Sequence, residues 1–172
     1  MIFESEYDRP VDLDQLAAFL EKDSDFKYAT VVHCDTPSGV LNDIEKICRL
    51  LDSHGIHSVV DSVTSIFAEA IDVDAGRIDI ICGGSQKALS APVGITLLCV
   101  SERAFRAMEE RKSPARSFYC NLLNYRDYYS NKWFPYSMPI SDIYGVAQAL
   151  DNLIEEEGFV SRHKAIAEAT RS

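Results

Sequence analysis

With 172 residues, 47% of them hydrophobic and 26% charged, the chain is long enough for one domain with a real core and reads as a soluble globular protein. Its net charge of −10 argues against nucleic acid or an anionic membrane as a partner, because phosphate-bearing surfaces select basic proteins. No apolar run approaches the ~18 residues of a membrane span. The start Met1-Ile2-Phe3-Glu4-Ser5-Glu6 lacks a signal-peptide pattern, and five cysteines without a C-x-x-C pair suit a reducing cytoplasm better than disulfides or zinc.

In chain order, Leu13, Leu16, Ala17 and Leu20 recur at helical spacing behind Asp12, a good N-cap. Ala29–His33 is a β-branched run and predicts a buried strand. Leu41, Ile44, Ile47 and Leu51 predict a second helix, with Asn42 and Glu45 at capping-box spacing. Three further strands are expected at Ser58–Asp61, Ile78–Cys82 and Gly94–Val100, and Cys82 and Cys99 inside them read as small buried hydrophobes. Ser101 is placed to cap a helix through about Arg111. The aromatic stretch Ser117–Tyr136 suggests core or subunit packing, with an active-site lid as the alternative. Ile140, Ile143, Ala147, Leu150 and Ile154 mark another helix, with Glu155-Glu156-Glu157 as its solvated end and a break at Gly158, and Phe159–Thr170 again looks helical. Helices alternating with continuous apolar strands imply an α/β fold: a three-layer α/β/α sandwich whose mostly parallel sheet is covered on both faces.

Open sheets of this kind bind ligands beyond the carboxyl ends of their strands. Three polar clusters fall there: His33 to Gly39, Asp61 to Ser65, and Gly83 to Lys87. Lys87 follows a buried strand and two glycines, which permit tight turns, and precedes a mostly apolar run, Ala88-Leu89-Ser90-Ala91-Pro92. A partly desolvated amine fit for Schiff-base chemistry is expected. Asp61 reads either as a cap for the following turn or as the carboxylate that keeps a pyridine nitrogen protonated. His33 reads as a structural histidine rather than a base. His54 and His57, separated by Gly55, which reads as a helix end, are not read as a metal pair.

Three segments together resemble the class V aminotransferases, fold type I of the pyridoxal-phosphate enzymes, in particular the alanine–glyoxylate and serine–pyruvate branch. His33-x-Asp35-Thr36-x-Ser38-Gly39-Val40-Leu41 is similar to H-x-E-[ST]-[ST]-[ST]-G-V-L. Val59-Val60-Asp61-Ser62-Val63-Thr64-Ser65 is similar to V-V-D-[AS]-V-[AS]-S. Gly84-Ser85-Gln86-Lys87-Ala88-Leu89-x-Ala91-Pro92-x-Gly94 is similar to G-S-Q-K-A-L-x-A-P-P-G. The resemblance implies pyridoxal 5'-phosphate as cofactor, with Lys87 as its Schiff-base lysine and proton shuttle. It also implies that Asp61 pairs with the ring nitrogen, Thr36 bonds the phenolic oxygen, Val63 packs on a ring face, and Gln86 reaches the phosphate. Ser137, in Pro135-Tyr136-Ser137-Met138-Pro139, is implied to reach the phosphate of a neighbouring subunit in a homodimer. The substrates implied are a small amino acid such as alanine or serine and a small 2-oxo acid such as glyoxylate or pyruvate. Departures from the family pattern are Asp35 for Glu, Pro37 for a small hydroxyl residue, Val93 for Pro and Ser137 for Thr, and Phe134 stands where some relatives carry tyrosine. Gln86 argues against the cysteine desulfurases, which usually place histidine before the lysine.

Full-length relatives are expected to be roughly twice as long. Residues 1–157 are accordingly read as part of a cofactor-binding large domain, and 158–172 as the start of the helix leading to an absent C-terminal small domain. A non-catalytic fragment of such an enzyme, or a lyase on the same fold, are the alternatives.

Overall fold

In the computed structural model, which describes residues 2–155 and 159–169, local capping starts the helices. Asp12 accepts hydrogen bonds from the backbone N–H groups of Asp14 (2.9 Å) and Gln15 (3.0 Å), which launches α1 (Leu13–Lys22) and turns Leu16 and Leu20 inward. Ser101 does the same for α3 (Glu102–Glu109), accepting from Ala104 N at 3.0 Å. The cap of α2 (Ile44–Ser53) differs from expectation. It is Asp43, which accepts from Lys46 N at 3.1 Å. Asn42 is spent elsewhere: its amide oxygen accepts from Val11 N and its amide nitrogen donates to Val32 O, both at 2.9 Å, tying the approach to α1 onto the end of the first strand.

Four strands, β1 (Tyr28–Val32), β2 (His57–Asp61), β3 (Ile80–Gly84) and β4 (Thr96–Val100), form one sheet in the order β1-β2-β3-β4. The first three are parallel and β4 runs antiparallel to β3, so the sheet is mostly parallel, as the pattern implied. Helix α2 links β1 to β2 and packs on β2. Ile44 and Cys48 of α2 meet Val60, Ile78 and Ile81 in one cluster, and Leu16 and Leu20 of α1 join Ile47, Leu51 and Ile56 in another. Burial pushes the Cys48 thiol up to about 11, so it stays protonated inside that core.

The opposite face is less covered than the apolar strands suggested. Along β2 the residues alternate between half-buried and buried, and in β4 Leu98 and Cys99 are exposed. Cys99 is therefore not a buried hydrophobe, since it lies on the edge strand β4, and Cys82 is only half-buried, cross-strand from the exposed Leu98.

A third cluster surrounds the loop after β3. Leu89 packs with Val146, Ala149 and Leu153 of α5 (Ile140–Glu155), and Phe67, Ile95 and Leu97 lie against it. A 3₁₀ turn at Leu122–Asn124 and a short α4 (Tyr128–Asn131) connect α3 to α5, and α6 (Phe159–Ala169) follows. In this connection Tyr119 stacks on Tyr136 with ring centroids 4.9 Å apart, and Tyr125 donates to the Tyr119 carbonyl at 2.8 Å. The expected break at Gly158, the residues Glu156 and Glu157, the boundary between 157 and 158, and Thr170 lie outside the described residues.

Gly83 and Gly84 do not make the tight turn expected of them. They are the last residues of β3, paired with Leu97 and Thr96. Their role is to let neighbours approach. A Cβ on Gly83 would sit 2.6 Å from Cγ2 of Ile66 and 2.8 Å from its Cδ1. Gly83→Ala is therefore expected to lower stability by about 1–3 kcal/mol through overpacking, read as a lower denaturation midpoint in urea with an unchanged slope.

Candidate active site

The carboxyl ends of β1, β2 and β3 lie side by side, and each feeds a loop whose backbone is bonded in place. After β1, Gly39 adopts φ +71°, and its N–H donates to the Asp35 carbonyl at 2.8 Å. The Asp35 carboxylate accepts from Ser38 N (3.0 Å) and Oγ (2.6 Å), and those bonds hold it below the usual aspartate range. After β2, the Asp61 carboxylate accepts from Val63 N at 3.0 Å, and Ser65 and Ile66 donate to the Ser62 carbonyl at 3.0 and 2.8 Å.

The third loop carries Lys87 between two fixed points. Ser85 is fully buried, and its Oγ donates to the Pro92 carbonyl at 2.5 Å. Its N–H donates to Ile95 O, and Ala91 N donates back to the Ser85 carbonyl. Two residues beyond Lys87, Leu89 is 1% exposed in the α5 cluster. Ser90 takes φ +59° to close this turn, with its N–H on the Lys87 carbonyl at 2.9 Å.

These loops bring Lys87 Nζ to 3.0 Å from Thr36 Oγ1 and 2.6 Å from Thr64 Oγ1, and the two hydroxyls are themselves 2.8 Å apart. Thr36, Asp61 and Lys87 thus stand on adjacent strand ends, and Lys87 and Thr36 are in direct contact. Lys87 is exposed rather than partly desolvated, because the loops form an open edge and not a closed cavity. Gln86 is also exposed, and its amide folds back over Gly84, where a Cβ would lie 2.6 Å from its Oε1. Val63 is half-buried in the turn after Asp61. Ser137 is exposed between α4 and α5, and the hydrogen bonds of this cluster run among Thr36, Thr64 and Lys87 without it.

Sequence reasoning passed over Thr64 as part of a motif. The available signal was a hydroxyl three residues beyond a strand-end carboxylate. His33 is structural, as expected: it is 6% exposed, and its Nδ1 lies 2.8 Å from Ser65 Oγ. Burial lowers its pKa, with Glu45 and Asp43 opposing, which favours the neutral ring. The neighbouring Cys34 thiol is pushed up by burial and by Glu69, against the pull of Lys87, so it is a poor nucleophile. Chemically, the cluster offers a primary amine for condensation with an aldehyde, two hydroxyls that can donate to an anionic oxygen, and a carboxylate one strand away.

The Aminotransferase class-V family model matches residues 2–172. The chain is 37% identical to an uncharacterized aminotransferase of Methanocaldococcus jannaschii, a match covering 89% of this chain and 40% of that protein. It is 36% identical to the serine–glyoxylate aminotransferase of Arabidopsis thaliana, covering 99% of this chain and 44% of the relative. Among solved structures, pyridoxamine–pyruvate aminotransferase from Mesorhizobium loti superposes with a TM-score of 0.85 at 31% identity, over 94% of this chain and 41% of that one. The chain spans less than half the length of these relatives. A family match along nearly every residue, with strand ends that carry the lysine, carboxylate and hydroxyl segments in order, means that the chain belongs to the class-V aminotransferases.

Proposed function

We propose that the protein acts in pyridoxal-phosphate-dependent transamination between a small amino acid, alanine or serine, and a small 2-oxo acid, glyoxylate or pyruvate. The observation that carries this reading is the contact of Lys87 Nζ with Thr36 Oγ1 beside the Asp61 strand end. The donor set suits the cofactor: an amine for its aldehyde, a hydroxyl for its phenolic oxygen, and a carboxylate for its ring nitrogen. When bound, pyridoxal phosphate supplies the aldehyde that takes up the amino group and the ring that spreads the charge left at the substrate α-carbon.

Each residue then has a defined task. Lys87 would hold the cofactor through its amine and would carry the proton to and from the substrate α-carbon. Asp61 keeps the ring nitrogen protonated. Thr36 donates to the phenolic oxygen, Val63 packs on a ring face, and Gln86 binds the phosphate. Ser137 serves the phosphate across a homodimer interface. Exposed aromatic residues around it support that surface: Tyr129 is 85%, Phe134 52% and Tyr144 73% exposed. Residues 1–157 belong to the cofactor-binding large domain, and 158–172 begin the helix toward a small domain. Five free cysteines suit a reducing cytoplasm.

Borohydride reduction of the protein after incubation with pyridoxal phosphate, followed by peptide mapping, tests this reading. A reduced pyridoxyl group on Lys87 is expected. Label absent from Lys87, or spread evenly over the surface lysines, overturns it.

A further inference from the structure

The Lys87 amine has a second hydroxyl partner, and that partner lies closer than the first. Thr64 sits in a turn bonded on both sides. Before it, Ser62 is fully buried, with its N–H and its Oγ both donating to the Cys82 carbonyl at 2.9 Å. After it, Ser65 is 2% exposed and bonded to His33 Nδ1 at 2.8 Å. The Thr64 backbone therefore moves little, and a β-branched side chain has few χ1 choices, so the direction of its hydroxyl is restricted. That hydroxyl lies 2.6 Å from Lys87 Nζ, closer than the 3.0 Å to Thr36.

Hydrogen counting extends the argument. The Lys87 ammonium donates to both hydroxyl oxygens, so neither hydroxyl hydrogen points at the amine. One of the two hydrogens fills the 2.8 Å contact between Thr36 and Thr64, and the other is left over. The oxygen that accepts the shorter bond is the better donor, because hydrogen bonds in a chain polarise one another. That favours Thr64 as the donor to Thr36 in the contact either hydroxyl can fill, which leaves the Thr36 hydrogen turned outward.

We propose that Thr64 is a positioning residue for Lys87. It holds the amine at the sheet edge whenever the amine carries no covalent partner, and it orients the Thr36 hydroxyl so that its hydrogen faces a ligand oxygen. The holding of the amine rests on the contacts of this chain. Its use for pyridoxal phosphate rests on the reading of Lys87 given above.

Two labelling reactions on the whole protein separate those parts. In the first, without cofactor, the lysines are reductively methylated with formaldehyde and cyanoborohydride, and Lys87 is followed by peptide mapping against Lys22. Thr64→Val is expected to raise the Lys87:Lys22 labelling ratio by about three- to tenfold, the range opened by losing one ordinary hydrogen bond. Thr64→Ser is expected to restore the wild-type ratio, and the thermal midpoints of all three proteins should agree. An unchanged ratio in Thr64→Val, a failure of serine to restore it, or a ratio change that simply follows a fallen midpoint overturns the role of Thr64. In the second, the initial rate of borohydride-trapped pyridoxal phosphate on Lys87, divided by the Lys87 rate with formaldehyde in the same protein, is expected to fall by about three- to tenfold in Thr64→Val and to recover in Thr64→Ser, and a quotient unchanged in Thr64→Val overturns the orienting of Thr36. A wild-type protein that shows the methylation effect but never traps the cofactor overturns the transamination reading and leaves the amine-holding role standing.

Discussion

On the proposed function, in which one side chain would supply both the attaching amine and the proton carrier, replacing Lys87 by alanine is expected to abolish covalent cofactor attachment and to lower transamination by about a thousandfold or more. The fold should survive. The Lys87 side chain is exposed, and the loop is held by Ser85 and Leu89 on either side of it. The measurements are the aldehyde-dependent visible absorbance after adding pyridoxal phosphate, turnover with alanine and glyoxylate, and the thermal midpoint. An alanine variant that still gains the absorbance band and keeps turnover within tenfold of wild type would remove Lys87 from the chemistry. Lys87→Arg is the informative companion: it keeps the positive charge beside Thr36 and Thr64 but cannot condense with an aldehyde, so it should be as inactive as the alanine variant.

Arg103→Ala is expected to produce the largest loss of stability. Asp79 is 2% exposed at the start of β3, at the end of the sheet opposite Lys87. Arg103 Nε donates to Asp79 Oδ1 at 2.9 Å, its Nη1 pairs with Asp52 at 2.6 Å, and its Nη2 reaches both Asp79 Oδ2 and the Ile56 carbonyl. Ser101 Oγ and Ser58 N also donate to the same carboxylate, at 2.8 and 3.1 Å. The group therefore pins α2, β2, β3 and α3 together. Removing the guanidinium strands a buried carboxylate. Because the Arg103 side chain is 38% exposed and partly screened, the expected loss is about 2–3 kcal/mol, at the low end for a broken buried pair.

The loss should depend on pH. Burial alone would raise the Asp79 carboxyl, but the bonds from Arg103, Ser101 and Ser58 outweigh it and hold the group below the ordinary aspartate value. A depressed folded value contributes stability that is present above the unfolded value, near pH 4, and is lost as pH falls through the folded one. The stability gap between wild type and Arg103→Ala should be widest near neutral pH and should narrow below about pH 4. Urea midpoints at several pH values measure it, and a gap constant from pH 7 to pH 3 would deny the ion pair its role.

Much of this architecture was readable before any coordinates. Asp12 and Ser101 cap their helices as expected, because capping is a contact between residues two or three apart. The β-branched runs became β1 to β4 with shifts of one or two residues, and Thr36, Asp61 and Lys87 fall in or beyond neighbouring strand ends as the alternation implied. Other assignments went astray where a local signal had a distant competitor. Asn42 has capping-box spacing, yet Val11 and the Val32 carbonyl claim its amide, and Asp43 caps instead. Gly83 and Gly84 look like a turn, yet they pair with Leu97 and Thr96 as the end of β3, and the crowding by Ile66 accounts for the missing side chain at Gly83. Apolar flanks around Lys87 suggested desolvation, but Leu89 points that apolar run into the α5 cluster and leaves the lysine itself exposed.

By itself the sequence determined the element types, the mostly parallel α/β class and the family, since each rests on periodicity, capping or ordered motifs read along the chain. Only the tertiary structure decided which hydroxyls meet the Lys87 amine, that Thr64 stands closer than Thr36, and that Asp52, Asp79 and Arg103 join at the far end of the sheet. The physical reason is the same in each case. A hydrogen bond or ion pair is decided by distances within a few ångströms between residues tens of positions apart, and strand register and loop closure set those distances.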